Sequence, residues 1–213
     1  MPLPPHEPTT AEAVQAWVEE HTQAADRFRH IAEKYESHRS AHGCYDVYPY
    51  PNGPLLGALA ASHCPRRLLE VGCGLGYSAL WLAFGAGTGA LLDTIEVSDE
   101  HARIAQEHFR SEGLGDRIKV LNGRASSVLP GLKDAYDLIF FDTDPAESLP
   151  GLDHFERLLK PGGLLISANL FLGQFAPDLP GLDKAAEYRV RILGPKRWLT
   201  AYLADGTAIS IRR

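Results

Sequence analysis

Cysteine, methionine, long apolar runs and basic clusters are all scarce in this chain, and each shortage closes a class of function. Only three cysteines occur, Cys44, Cys64 and Cys73, with a single methionine. The cysteines are odd in number, far apart and form no Cys-x-x-Cys pair, so neither a disulfide framework nor a cysteine-based zinc knuckle is supported. Reduced thiols in a reducing compartment are expected instead. No apolar run approaches the roughly 20 residues that cross a bilayer. The opening Met1-Pro2-Leu3-Pro4-Pro5 lacks the basic and apolar segments of a secretion signal. A cytoplasmic protein with no membrane contact is the expectation. Lys and Arg are scattered in pairs such as Arg66-Arg67, Lys196-Arg197 and Arg212-Arg213, within a formal net charge of -6. Nucleic-acid binders need a positive footprint on phosphates, so a nucleic-acid partner is disfavoured.

What is present suits one soluble domain. The 213 residues are 45% hydrophobic and 23% charged, enough for one packed core and short for two. A single domain over 1–213 is expected, with a flexible Pro-rich tail at 1–10, a helical region at 11–62 and a core at 63–213. Thr10 is a candidate N-cap for a helical arm over 11–37, which has no internal Gly or Pro. Val14, Trp17, Val18, Ala25, Phe28 and Ile31 recur there at roughly helical spacing. The stretch 45–53, with three Tyr and two Pro, reads as a stiff loop, and a helix over 54–62 follows it.

From Arg67 onward strands and helices alternate. Apolar strands are expected at 68–71, 91–97, 118–121, 136–141 and 164–167, with helices at 78–84, 98–112 (Ser98 as N-cap), 125–129 and 154–159. Such alternation implies right-handed crossovers and a doubly wound α/β fold around a parallel sheet. The tail breaks the rhythm: 188–193 and 198–211 read as two strands of a terminal hairpin, adding an antiparallel strand at one edge.

Ligands of doubly wound sheets sit at the carboxyl ends of the strands. There the chain reads Glu70-Val71-Gly72-Cys73-Gly74-Leu75-Gly76. The spacing is Gly-x-Gly-x-Gly, not the Gly-x-Gly-x-x-Gly of dinucleotide sites. The acidic Glu70 would repel a pyrophosphate, yet suits a ligand bearing an ammonium and a sulfonium, as S-adenosylmethionine does. Glu96 closes the second strand, where a carboxylate can accept from both ribose hydroxyls. Gly123-Arg124-Ala125 offers a small-residue turn for an adenine ring. A dinucleotide enzyme, or a glycine turn that serves packing alone, are the competing readings.

From these residues the chain over about 52–213 resembles the class I methyltransferases, and within them the catechol and caffeoyl-coenzyme A type of O-methyltransferase. The carriers are Leu69-Glu70-Val71-Gly72-Cys73-Gly74-Leu75-Gly76-Tyr77-Ser78, the Gly53 turn, Glu96, Tyr136-Asp137-Leu138-Ile139-Phe140-Phe141-Asp142, Leu159-Lys160-Pro161-Gly162-Gly163-Leu164-Leu165 and Leu203-Ala204-Asp205-Gly206-Thr207-Ala208. The resemblance implies a Rossmann-like, seven-stranded sheet with one antiparallel strand, extra N-terminal helices near the substrate, and a homodimer. It implies S-adenosylmethionine as cofactor, held by Glu70, Gly72, Gly74, Gly76, Tyr77, Ser78, Glu96, Val97, Gly123, Arg124, Ala125 and Asp142. The implied reaction is O-methylation of a small, aromatic hydroxyl substrate.

Two positions depart from the family pattern. Relatives of this type commonly hold Mg²⁺ with an Asp after strand four and an Asp-Asn pair after strand five. Here Asp142 and Asn169 are present, but Ala168 stands where the second Asp belongs, and Pro145 replaces a Lys often assigned as the base. No metal ligand is therefore assigned, and transfer without a divalent metal is expected. Asp144 and His154 are the candidate bases by position. Tyr48, Tyr50 and Trp17 are candidate walls for a flat acceptor, and the apolar loop 170–175, with Gly173, a candidate lid. The remaining histidines, His42 and His63 among them, are expected to be surface or internally satisfied residues without metal-ligand spacing. A tRNA wobble-uridine O-methyltransferase and a binding protein that no longer catalyses remain the rival functions.

Overall fold

The computed structural model describes residues 8–43, 47–133 and 135–213. The expected flexibility at 1–7 and the part of the stiff loop at 45–46 lie outside the described residues.

Seven strands form one sheet: β1 (Arg67–Val71), β2 (Leu91–Glu96), β3 (Ile118–Asn122), β4 (Tyr136–Phe141), β5 (Leu159–Ser167), β6 (Trp198–Tyr202) and β7 (Ala208–Arg212). Their spatial order is β3-β2-β1-β4-β5-β7-β6. The first five run parallel, and β7 is antiparallel to both β5 and β6. The one reversed strand therefore lies inside the sheet. The edge expected for the reversed strand is taken by β6, and the hairpin joins β6 to β7, which split the segment 198–211 expected as one strand.

Strand alternation sends successive side chains to opposite faces, and both faces are covered. From β4, Leu138 and Phe140 join Leu68, Leu164 and Ile166 on one side. Their helical cover there includes α3 (Gly53–His63), α4 (Tyr77–Ala86) and α5 (Asp99–Ser111). Ile139 and Phe141 join Leu69, Val71 and Leu165 on the other face. That side is closed by α6 (Ala125–Val128), α7 (Pro145–Leu158) and α8 (Leu182–Arg191). Near-continuous apolar strands follow from this two-sided burial.

Three expectations need correction. Segment 188–193 is not a strand but the end of α8, because Ala185, Tyr188 and Ile192, all buried, recur at helical spacing. The Tyr188 hydroxyl bonds Ser167 Oγ at 2.6 Å, fastening the helix to β5. The helix expected at 154–159 begins at Pro145 and runs through Pro150, with Pro145 at its first turn, where a missing N–H costs nothing. The arm 11–37 is two helices, α1 (Ala11–Ala24), capped by Thr10, and α2 (Arg29–His42).

A single carboxylate explains the break between α1 and α2. Asp26 Oδ1 accepts from the backbone N–H of Phe28 at 2.9 Å, a local turn that competes with continued helix. The same carboxylate accepts from Tyr77 Oη at 2.6 Å and Trp81 Nε1 at 3.1 Å. The turn is thus pinned to α4. Beyond it α2 buries Ile31 and Tyr35, while α1 buries nothing and leaves Val14, Trp17 and Val18 exposed. No described helix is long and apolar enough to cross a membrane.

Replacing Asp26 with Ala strands two buried donors and a turn N–H. Charged hydrogen bonds of this kind contribute about 1–3 kcal/mol, so Asp26→Ala should lose stability of that order in urea denaturation. An unchanged midpoint would show the pin to be dispensable.

Candidate active site

The carboxyl ends of β1, β2 and β4 meet at a cleft of about 600 Å³. Its floor is the turn after β1. Gly72, at φ 99°, lies so close to the β4 end that an added Cβ would sit 1.9 Å from the Asp142 carbonyl oxygen. Only glycine permits that approach.

The turn's backbone N–H groups are met from elsewhere in the chain. Gly72 and Cys73 donate to the Ile95 carbonyl at 3.1 and 3.2 Å. Gly74 donates to Glu96 Oε2 at 2.7 Å, while Glu96 Oε1 accepts from Ser98 N–H at 2.9 Å, at the start of α5. Tyr35 of α2 accepts from Leu75 and Tyr77 N–H at 2.9 and 3.3 Å. Its phenol is pushed well above the usual tyrosine range by burial, so it stays neutral. Tyr35 is the residue that sequence reasoning missed. Its signal was the helical spacing of Phe28, Ile31 and Tyr35.

Of the twelve residues expected to hold cofactor, Gly72, Gly74, Ser78, Glu96, Val97, Gly123, Ala125 and Asp142 line this cleft. Glu70, Gly76, Tyr77 and Arg124 are not among its lining residues. Glu70 is fully buried beneath the turn, with Oε2 accepting from Thr94 Oγ1 at 2.5 Å and Oε1 unpartnered among the described residues. Burial pushes its carboxyl up to about 8, partly offset by the hydroxyls of Ser78 and Thr94. Gly76 packs on Phe109, and the Tyr77 hydroxyl is spent on Asp26.

The cleft is lined also by Tyr48, Pro49, Tyr50 and Pro51, and by Leu172, Phe175, Ala176 and Leu179. Tyr50 is buried and its hydroxyl bonds Thr207 Oγ1 at 3.0 Å, so it presents its ring's flank. Tyr48 and Phe175 are open to solvent, with the Arg39 guanidinium 4.2 Å from the Tyr48 ring centroid. Trp17 lies off the cleft, stacked on His21 at 3.9 Å. The segment 170–175 contributes Leu172 and Phe175 to that lining, but Gly173 packs against Leu182.

Asp142, Asp144 and Asn169 line the same cleft. Asn169 Nδ2 donates to Asp142 Oδ1 at 2.5 Å, and burial pushes the Asp142 carboxyl up to about 7. Asp144 is exposed at the cleft, whereas His154 sits on α7 beside Arg157 and is not among the lining residues. The family's Mg²⁺ site does not fit this donor set. Mg²⁺ demands hard oxygen ligands in near-octahedral array, and Ala168 removes one carboxylate while Asn169 turns its amide N–H₂ toward the other. The histidines need a correction too: His38 and His42, four apart on α2, do converge, with Glu100.

Known proteins agree with this architecture. A model of the methyltransferase domain matches residues 69–169. A protein of Mycobacterium sp. (strain JLS), named an O-methyltransferase by inference, is 37% identical over 168 residues, covering 75% of this chain and 76% of its own length. A similarly named protein of Mycolicibacterium vanbaalenii is 41% identical over 168 residues, covering 75% of this chain and 74% of its own. The fold is shared with the O-methyltransferase of Bacillus cereus solved with SAH, at TM-score 0.76 and 22% identity, over 94% of this chain and 100% of that one. It is shared also with the O-methyltransferase TomG of Streptomyces achromogenes solved with SAM, at TM-score 0.78 and 21% identity, over 96% and 99%. The sheet order and glycine turn define a class I S-adenosylmethionine-dependent methyltransferase. Within that class the chain belongs to the O-methyltransferase family.

The buried carboxyl under the turn makes stability depend on pH. Glu70's folded value of about 8 lies above its ordinary 4.5, so the folded state keeps a proton that the unfolded chain gives up. The stability this confers is whole below about 4.5 and fades as pH climbs through about 8. Glu70→Gln keeps a neutral group throughout. Between pH 5 and 8.5 its stability should improve relative to the parent by on the order of 2 kcal/mol or more, read by urea denaturation at each pH. Parallel curves would mean that Glu70 folds ionised.

Proposed function

We propose that this enzyme moves the methyl group of S-adenosylmethionine onto a hydroxyl of a small, flat aromatic acceptor, without a divalent metal. One observation carries the reading. The cleft joins a glycine-and-carboxylate wall, built by Gly72, Gly74 and Glu96, to an aromatic and prolyl wall, with Asp142 in the same lining.

Each wall then has a task. Glu96 accepts from the ribose hydroxyls with the lone pairs that Gly74 and Ser98 leave over. Val97, Gly123 and Ala125 present a side-chain-poor surface to the adenine. Gly72 and Ser78 face the methionine portion. Pro49, Tyr50 and Pro51 hold the acceptor flat, with Tyr48 and Phe175 covering it from the solvent side. The acceptor oxygen attacks the methyl carbon in line as the carbon–sulfur bond breaks, and S-adenosylhomocysteine leaves. Holding those atoms in line supplies much of the rate. Asp142 takes the hydroxyl proton. It is favoured over Asp144 by its depth and its fixed bond to Asn169, and over His154 by position. The exposed apolar face of α1, with Val14, Trp17 and Val18, supports a homodimer in which a second subunit covers it.

Labelled S-adenosylmethionine offered with catechols, phenols and hydroxyquinones tests the chemistry. Product should form equally with Mg²⁺ and with a chelator. Product only with Mg²⁺ would overturn the metal-free reading, and none with any acceptor would overturn the aromatic one. Glu96→Ala should weaken S-adenosylhomocysteine binding about 10- to 100-fold, the equivalent of one or two charged hydrogen bonds. Asp142→Asn should instead lower kcat by about 10²-fold or more.

A further inference from the structure

Beside the cleft, α2 and α5 bring three histidines and a carboxylate to one spot. His38 and His42 lie one turn apart on α2, their rings stacked 4.4 Å apart with 26° between planes. Glu100, in the first turn of α5, places Oε1 3.7 Å from His42 Nε2. One ligand atom each from His38, His42 and Glu100 falls within 4.8 Å of the others. His101, the next residue of α5, sets its Nε2 3.2 Å from His38 Nε2.

That last distance is informative. Two imidazole nitrogens facing each other must share a proton or share an ion. Ligands on tetrahedral Zn²⁺, at 2.0–2.1 Å from the metal, stand about 3.3 Å apart. The other nitrogen of His101, Nδ1, faces Glu96 Oε1 at 3.7 Å.

We propose that His38, His42 and Glu100 form a site for a transition-metal ion of the Zn²⁺ kind, with His101 beside His38 on the side of the cleft. Imidazole and carboxylate donors suit Zn²⁺, and three protein ligands leave the fourth position to water. His42 and Glu100 are exposed, so the ion enters from solvent and these two side chains close the remaining distance by rotation. The ion clamps α2 to α5. Because α2 carries Tyr35 and α5 begins beside Glu96, the clamp tightens both side chains that hold the glycine turn.

The test uses the full chain, stripped with chelator and titrated with Zn²⁺ alone against a chromophoric competitor. One Zn²⁺ per chain should bind at micromolar affinity or tighter and raise the melting temperature. Co²⁺ in its place should give the intense visible bands of a tetrahedral ion. His42→Ala and Glu100→Ala, both at exposed positions, should melt like the parent without metal and bind Zn²⁺ at least about 10-fold more weakly. Cys64→Ser, removing the exposed thiol, should leave the affinity unchanged. Absence of Zn²⁺ binding, affinity indifferent to His42→Ala and Glu100→Ala, or affinity lost with Cys64→Ser would each overturn the proposal.

Discussion

Backbone N–H groups in a tight turn must find acceptors, and the turn after β1 has more of them than its own residues can satisfy. The glycines that let Gly72 lie against the Asp142 carbonyl also strip the turn of side chains that would cap it. Acceptors therefore come from three other places: Ile95 of β2, Glu96 at its end, and Tyr35 of α2. Leaving even one such donor buried and unpaired costs about 1–3 kcal/mol. This requirement explains why α2 packs where it does. His108 ties the turn further, donating from Nδ1 to the Leu75 carbonyl at 2.8 Å while its Nε2 accepts a hydrogen bond from Lys34 at 3.1 Å. That pattern needs a neutral imidazole, in line with burial lowering its pKa.

The consequence is a cleft whose two walls have different origins. One is built from strand ends and is rigid, since its glycines and carboxylate are tied into the sheet. The other comes from the segments 47–51 and 172–179, which expose Tyr48 and Phe175.

How much of this was legible depended on whether a signal was local. The central parallel strands stood out because burial on both faces makes them largely apolar, as in Tyr136–Phe141. The glycine turn and Glu96 were readable because close backbone approach and strand-end carboxylates leave fixed spacings. Segment 188–193 misled because its alternation of apolar and basic residues mimics a strand, whereas the helix is set by Ala185 upstream and by the Ser167 contact. The α1–α2 break was invisible since Asp26 finds Tyr77 and Trp81 only in three dimensions. The same holds for His38 and His101, which come from different helices, although the four-residue spacing of His38 and His42 was there to be seen.

The sheet order also governs when the molecule can exist at all. Its centre is the pairing of β1 with β4, where Leu68 meets Leu138, while β2 and β3 are stacked outward on the far side of β1. A nascent chain leaving the ribosome can therefore assemble β1, β2 and β3 early, but as a half-sheet with one raw edge. Gly72 has no Asp142 carbonyl to close against until the second half arrives. Until β4 is made, the open edge of β1 is the place most exposed to wrong pairing.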